Sequence, residues 1–481
     1  MQMLFHFIKR QLLCQIFFLC FFHVSWAQNV TILPNGINPA PVGSIPRLSY
    51  EAILALPSPQ LGDLAIDLTF RVMRMYNGGE WAILKTSMSQ DLTDYTAMSL
   101  GGLLPSDVAT DNSGNIYATG RFEGTVTIGE LSLTSAGGTD IFVAKFNRFG
   151  SVQWLRRGGG SNFVDEEGKS IAVDGSGNVY VTGYFNIMAN FNTPSVTGSN
   201  ELISAGDIDI FVAKYNTSGA IQWLRRGGGT GTDEGNGIGV DGNGNVYVVG
   251  FFSGTANFNN PSASGSFELT SAGDWDVFVV KFSSLGTRQW VRRGGGTGFD
   301  EGKDITVDSN GDFYITGFFV LTANFNTPWA SGSNELISAG SSDIFVIKYN
   351  TSGGLLWRQR GGGTQNDFGE AIVRRGITNV FVTGYYNGTI NFNTPSAVGT
   401  NEIQPIGLFD LFVAEYSSAG VLLGLQRGGG QSDDVGTSVA IGAFGALHVV
   451  GRFESLAQYG LTSLVNTLSG YGSGFITFMK Q

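Results

Sequence analysis

Gly177-Asn178-Val179-Tyr180-Val181-Thr182-Gly183-Tyr184-Phe185 decides the fold, because the chain keeps returning to it. Related copies stand at 114–122, 244–252, 311–319, 378–386 and 445–453. The glycine of the Thr-Gly core falls at 120, 183, 250, 317, 384 and 451, giving intervals of 63, 67, 67, 67 and 67 residues. Two more anchors keep the same phase. One is Asp209-Ile210-Phe211-Val212-Ala213-Lys214, with counterparts starting at 140, 276, 343 and 410; the other is an arginine followed by three glycines, the first at 158, 227, 294, 361 and 428. A fixed long period built from several anchors marks a repeat architecture and is read before any local motif.

Each copy resolves into four strands, as the third shows. Residues 237–240 form a short strand, and Asp241-Gly242-Asn243-Gly244-Asn245 is a tight turn of residues that accept left-handed backbone or bond their own main chain. Residues 246–252 are a β-branched and aromatic strand, and 276–282 follow after an insertion. A Ser-Ser-Leu-Gly turn leads to 288–293, which carries Trp290. Four antiparallel strands, six times over and without helical periodicity, describe an all-β β-propeller with six four-stranded blades. The sixth copy has strands at 437–441, 446–453 and 475–480 but no fourth, whereas 95–100 followed by Gly101-Gly102 matches a fourth strand ahead of the first copy. The expectation is a ring closed by pairing an N-terminal strand with the last blade, which leaves no sheet edge there. Seven blades are the alternative, the seventh drawn from 70–81.

Composition agrees. The 481 residues include 71 Gly, with 42% hydrophobic, 12% aromatic and 14% charged residues. Glycine weakens helix interiors by about 1 kcal/mol each, which excludes helical bundles; the apolar content excludes disorder, and the absence of a Gly-X-Y period excludes collagen. Residues 1–27 read as a signal peptide, with Lys9 and Arg10 before an apolar run and Ser25-Trp26-Ala27 as cleavage site. Cys14, Cys20, His6 and His23 all fall within it. The mature chain then has no cysteine and one histidine, His448, inside the apolar strand 446–450. Cysteine nucleophiles, cysteine-bound zinc and disulfides are excluded, and a Ser-His-Asp triad could rest only on that histidine. Without the leader, 26 basic residues face 39 acidic ones, a net charge of −13, a poor match to nucleic acid or an anionic membrane. No second apolar run is long enough to span a bilayer. Residues 28–45 read as a linker, 46–88 as a short β module whose Tyr76-Asn77-Gly78-Gly79-Glu80-Trp81 signals a hairpin, and 89–481 as the propeller.

The repeat resembles a known family, the bacterial β-propeller repeat named for seven-bladed propellers. The resemblance rests on Ala172-Val173-Asp174-Gly175-Ser176-Gly177-Asn178-Val179-Tyr180-Val181-Thr182-Gly183-Tyr184 and on 209–215, and it covers about 106–481. It implies a secreted or surface protein with no shared catalytic residues; the chain departs from the family in showing six copies. Residues 46–81 resemble a short module of bacterial surface and fibre-like proteins.

The most regular polar feature is the acidic column Glu166, Asp233, Asp300, Asp367 and Asp434 in the loop after each fourth strand. In a propeller this loop crosses to the next blade's inner strand, so the five carboxylates are expected around one mouth of the channel. They would form a cation site or a face for an amine-bearing ligand; otherwise each caps its glycine-rich loop or pairs with Arg225, Arg292 or their equivalents. The turns 174–178, 241–245 and 308–312 resemble the start of a calcium loop but lack its position-12 Glu, and Arg375 and Gly442 replace the Asp in the last two copies. Hairpin chemistry explains them with no metal and no cofactor, calcium being the alternative. The insertions repeat an Asn-Phe-Asn motif at 190, 257, 324 and 391, beside Trp275 and Trp329. These aromatics either stack on sugar rings or pack the loops. Trp154, Trp223, Trp290 and Trp357 form one column, with Gly424 in the fifth copy, read as packing between blades. The glycine runs lack the Gly-Lys-Ser/Thr of a phosphate loop. No catalytic constellation emerges. The expectation is a secreted, non-catalytic binding or structural propeller, outside the cell or on its surface, with an extracellular protein or glycan as partner. A carbohydrate-binding protein is the alternative, followed by a propeller lyase or hydrolase working through paired carboxylates.

Overall fold

The computed structural model describes residues 100–161, 164–191, 200–258, 267–326, 335–392, 401–442, 445–454, 456–459, 462–465 and 473–479, together with the strands Arg47–Leu48, Leu64–Asp67, Val72–Tyr76 and Trp81–Ile83 and residues 52 and 55. The proposed signal peptide, the linker, Trp329 and nearly all of the proposed closing strand at 95–100 lie outside the described residues.

β-branched and aromatic residues fill the second and third strands of each copy, and these become the buried centre of a four-stranded antiparallel sheet. In the third unit the strands are Glu234–Val240, Val246–Asn257, Glu268–Phe282 and Arg288–Gly296, paired in chain order. Val246, Tyr247, Val248 and Val249 are all fully buried, so this stretch of the strand has no solvent face. Residues on one face of it pack with the second unit, including Tyr180, Ile210, Val212 and Trp223; Tyr247 and Val249 pack with Ile305, Ile315 and Phe345 of the fourth. The hydrophobic core therefore lies between successive sheets, and burying each such side chain contributes about 1.5–3 kcal/mol.

The same arrangement recurs. The second unit comprises Glu167–Val173, Val179–Asn190, Glu201–Tyr215 and Ile221–Gly229; the fourth comprises Glu301–Val307, Phe313–Asn324, Glu335–Tyr349 and Leu355–Gly361. The first unit carries an additional hairpin, Thr125–Ile128 with Leu131–Thr134. In the sixth, Asp434–Ile441, Leu447–Phe453 and Ser473–Met479 pair in that order. The strands before residue 98 belong to a separate compact unit: Arg47–Leu48 runs parallel to Leu64–Asp67, which pairs antiparallel with Val72–Tyr76 and then Trp81–Ile83, Tyr76 standing opposite Trp81. Among the described residues no helix is long and apolar enough to cross a membrane.

The insertions differ from the sequence expectation, which placed them outside the strands. The second and third strands of units two to four run on into them as two-stranded ribbons, with Asn190 opposite Glu201, Asn257 opposite Glu268 and Asn324 opposite Glu335. Each ribbon clasps the preceding unit: Gly228 and Gly229 pair with Asn257 and Ala256, and Gly295 and Gly296 with Asn324 and Ala323. This clasp explains the triple glycine. A Cβ on Gly227 would lie 2.6 Å from the Phe258 ring, and one on Gly229 would lie 1.9 Å from the Thr255 carbonyl oxygen. Gly228, between them, has a φ of 139°, which favours glycine. The Trp column also joins units, since the indole N–H groups of Trp154, Trp223, Trp290 and Trp357 donate to the carbonyls of Thr217, Ser284, Thr351 and Ser418 in the following unit.

Candidate functional site

The acidic column lies beneath the loops rather than on them: Glu166, Asp233, Asp300, Asp367 and Asp434 are all buried. Asp233 Oδ2 accepts from the Gly229 amide at 2.7 Å and Oδ1 from the Ser253 amide at 3.1 Å, so one side chain ties the loop to the next unit's second strand. Asp300 does the same with Gly296 and Val320, and Asp367 with Gly363 and Asn387. Gly160 and Gly430 donate likewise to Glu166 and Asp434. Each of these acids also sits beside a second one, the Asp of the third strand that begins the Asp-Ile-Phe-Val-Ala-Lys anchor or its counterpart. Asp209 Oδ1 and Asp233 Oδ2 both lie within 3 Å of where a Cβ on Gly228 would stand. Asp209 Oδ2 accepts from the Ala205 amide at 2.9 Å and from Arg226 at 3.0 Å, while its Oδ1 is buried with no hydrogen-bond partner.

Burial, assisted by the neighbouring carboxylate, raises Asp233, Asp300 and Asp434 to about 7 and Glu166 and Asp367 to about 8. Asp209, Asp276 and Asp343 are pushed by burial to about 6 despite their arginines. The arginines that pair with this cluster are Arg157, Arg226, Arg293, Arg360 and Arg427. Arg225 and Arg292, which the sequence placed opposite the acids, instead turn to the following unit. Arg225 donates to the Gly286 carbonyl at 2.7 Å and Arg292 to the Ser352 carbonyl at 3.2 Å. Their position in the strand, one residue before the pairing arginine, puts them on its opposite face.

The turn acids are engaged by their own turns. Asp174 accepts from the Ser176 and Asn178 amides, the Asn178 side chain and the Tyr180 hydroxyl, at 2.8 to 2.9 Å. Partial burial acts upward on this carboxyl, but those donors outweigh it and hold it below its ordinary value. The insertion phenylalanines Phe191, Phe258, Phe325 and Phe392 are buried. Trp275 is half-buried, stacked 4.3 Å from Phe251 and edge-on to Phe299 at 5.3 Å. His448 is buried in its strand, and burial lowers its pKa.

A different group of residues was not singled out from the sequence. The first strands of successive units lie side by side, and each carries a bulge at the same place. A bulge re-aims the side chain it inserts, and here the repeat breaks down. The inserted residues are Ser106, Lys169, Asn236, Lys303, Glu370 and Thr437; two places earlier stand Leu104, Glu167, Glu234, Glu301, Phe368 and Val435. Units two to four thus present an arc of alternating charge: Lys169 lies 3.6 Å from Glu167 and 3.9 Å from Glu234, and Lys303 lies 2.6 Å from Glu301. Ser106 donates to Glu167 and Asn236 to Glu301. Deeper along the same strands, burial raises Asp107 to about 6 and Asp304 to about 7, the latter also through Asp107 three units away. Units four and five continue the arc with aromatic rings: Phe318 is edge-on to Phe368 at 5.0 Å, Phe368 lies 4.9 Å from Tyr385, and Tyr385 lies 5.5 Å from Phe409. The signal that would have found these residues is a column that varies where every neighbouring column is constant.

Among the described residues no group of three or more His, Cys, Asp or Glu side chains is arranged to hold a metal ion. A surface groove of about 450 Å³ lies between the first two units, lined by Leu131, Lys145, Trp154, Arg156 and Thr217 among others.

Residues 153–192 and 222–250 match the family described as beta-propeller repeat. An uncharacterized WD repeat-containing protein of Acanthamoeba polyphaga mimivirus is 25% identical over 427 residues, covering 72% of this chain and 30% of the viral protein. Regulatory protein FlaEY of Caulobacter vibrioides is 26% identical over 241 residues, 47% of this chain and 24% of that protein. The chain spans less than a third of the length of either relative.

Proposed function

We infer that this chain, one of the β-propeller repeat proteins, is a non-catalytic binding module whose ligand meets the ends of the first strands. One observation carries the reading. Residues that recur in every unit are engaged in building it, whereas charged and aromatic residues that differ between units gather at those strand ends. On a repeat scaffold, function belongs to the positions the scaffold leaves free to differ. Lys169 and Lys303 offer ammonium groups flanked by Glu167, Glu234 and Glu301, and Phe368 and Tyr385 offer ring faces, so one ligand can meet both charge signs and an apolar wall. The WD-repeat name of one relative fits a protein-binding propeller.

The leader-like residues 1–27 support export to the extracellular space or cell surface, with an extracellular protein as partner; the exported chain should begin at Gln28, and recovery of Met1 on the secreted protein would refute this. A glycan is the second reading, favoured by Trp275, a ring held rigid by Phe251 on one side. A glycan array whose hits survive Trp275→Ala with Trp329→Ala would eliminate it. The main reading is tested by capturing extracellular ligands and titrating them against Lys169→Met/Lys303→Met. Binding should weaken at least tenfold while the circular dichroism spectrum keeps the β form of the parent; unaltered binding, or chemical turnover of the captured ligand, would overturn the reading.

A further inference from the structure

Four residues beyond the Thr-Gly core glycine of each of the first five units, or its counterpart, the backbone turns left-handed. The residue there is Gly124 in the first unit, Gly254 in the third and Gly388 in the fifth, with φ of 69°, 64° and 74°. In the second and fourth units the same position holds Ile187 and Leu321, with φ of 56° and 62°. Side chains disfavour this conformation, β-branched ones most of all. Ile187 and Leu321 are 52% and 55% exposed. Beside them, on the facing strand of each ribbon, stand Ile203 and Ile337, which are 71% and 66% exposed. Units three and five have Thr270 and Gln404 there. Strain and exposure thus coincide at the same two places. Phe299 extends the patch, being 43% exposed and edge-on to Trp275. The loop that carries Phe299 runs along Val320, the residue before Leu321: Asp300 accepts from the Val320 amide at 3.1 Å, and a Cβ on Gly298 would lie 2.6 Å from the Val320 carbonyl oxygen.

The surrounding exposed charges are acidic. Asp207, Glu268 and Asp274 lie on the ribbons of the second and third units. Arg226, Arg293 and Arg360 on these sheets are tied to Asp209, Asp276 and Asp343. Among the described residues no lysine is exposed, and the exposed arginines are Arg148 and Arg427, in units one and five.

We propose that Ile187 with Ile203, and Leu321 with Ile337 and Phe299, are docking points for a cationic protein whose apolar side chains stand among lysines or arginines. The proposal rests on the reading of the chain as a binding module and adds the partner's chemistry and a second contact region. Backbone strain kept at exposed apolar residues is a mark of function, and the acidic surroundings select a basic partner over a second copy of this acidic chain or an anionic lipid surface.

The test uses the full chain and a labelled peptide of alternating leucine and lysine. Ile187→Gly/Leu321→Gly restores the residue of the sister units, so this variant should melt higher than the parent. It should bind the peptide at least tenfold more weakly, and Asp207→Asn/Asp274→Asn should weaken binding and reduce its salt dependence. The proposal falls if the glycine variant binds as the parent does, if a leucine–serine peptide binds equally well, or if the parent ignores the peptide. It also falls if the patch instead mediates self-association in sedimentation, or binding to phosphatidylglycerol vesicles, that the glycine variant loses. None of these results touches the Lys169 and Lys303 titration, so the two readings fail separately.

Discussion

At the residue scale the molecule is organised around carboxyls and glycines that share one small space. The pair Asp209 and Asp233 has one nearby arginine, Arg226, and cannot hold two full charges while buried; the pair titrates as a unit and retains a proton near neutrality. Carboxyls in the unfolded chain titrate near pH 4. The native state therefore binds more protons than the unfolded one between about pH 4 and about pH 8, and stability falls as the pH rises through that window. Melting temperature should decline from pH 5 to pH 8. Asp209→Asn, whose amide can donate where the shared proton sits, should make the decline shallower by this pair's share, the four sister pairs keeping theirs, and a stability that rises over this interval would contradict the pairing. The glycines allow a sharper contrast. A Cβ on Gly296 would stand 1.8 Å from the Thr322 carbonyl oxygen, whereas one on Gly175 meets nothing within 4 Å. Gly296→Ala should cost about 1–3 kcal/mol in denaturant unfolding while Gly175→Ala is close to neutral.

At the element scale the ribbons show where sequence reading succeeded and where it stopped. The strand centres were legible because runs such as Val246 to Val249 are buried on both faces and repeat in phase. The ribbons were not, because their residues project beyond the sheet and carry little period-two apolar signal, and because a left-handed residue interrupts each one. The pairing of Asp209 with Asp233 was hidden for another reason: the two belong to separate anchors and meet only when the fourth strand folds back. Lys169, Lys303 and Phe368 escaped because a repeat is recognised by its constant columns, and these lie in variable ones. The clasp itself predicts coupling between two positions. A Cβ on Gly294 would lie 2.3 Å from the Phe325 ring. Phe325→Ala alone should cost about 3–5 kcal/mol, and Gly294→Ala should be markedly cheaper in that background than in the parent. Additive effects in the double-mutant cycle would show that the ring and the glycine do not share the site.

At the scale of the whole molecule, each sheet is stabilised by its neighbours, since the core lies between units. The sixth unit's strand Ser473–Met479 pairs with Leu447–Phe453, and removing 473–481 should expose that strand's edge, lower the melting temperature and make the C-terminal unit sensitive to proteases. With the repeated residues engaged in joining units, binding falls to the variable residues at the first-strand ends. Amide hydrogen exchange on the full chain, with and without a captured extracellular ligand, tests this most directly. Protection is expected to concentrate at 164–170, 230–237, 298–304 and 366–370; protection confined to the turns 111–115, 174–178, 241–245 and 308–312 at the opposite strand ends would contradict binding at the first-strand ends.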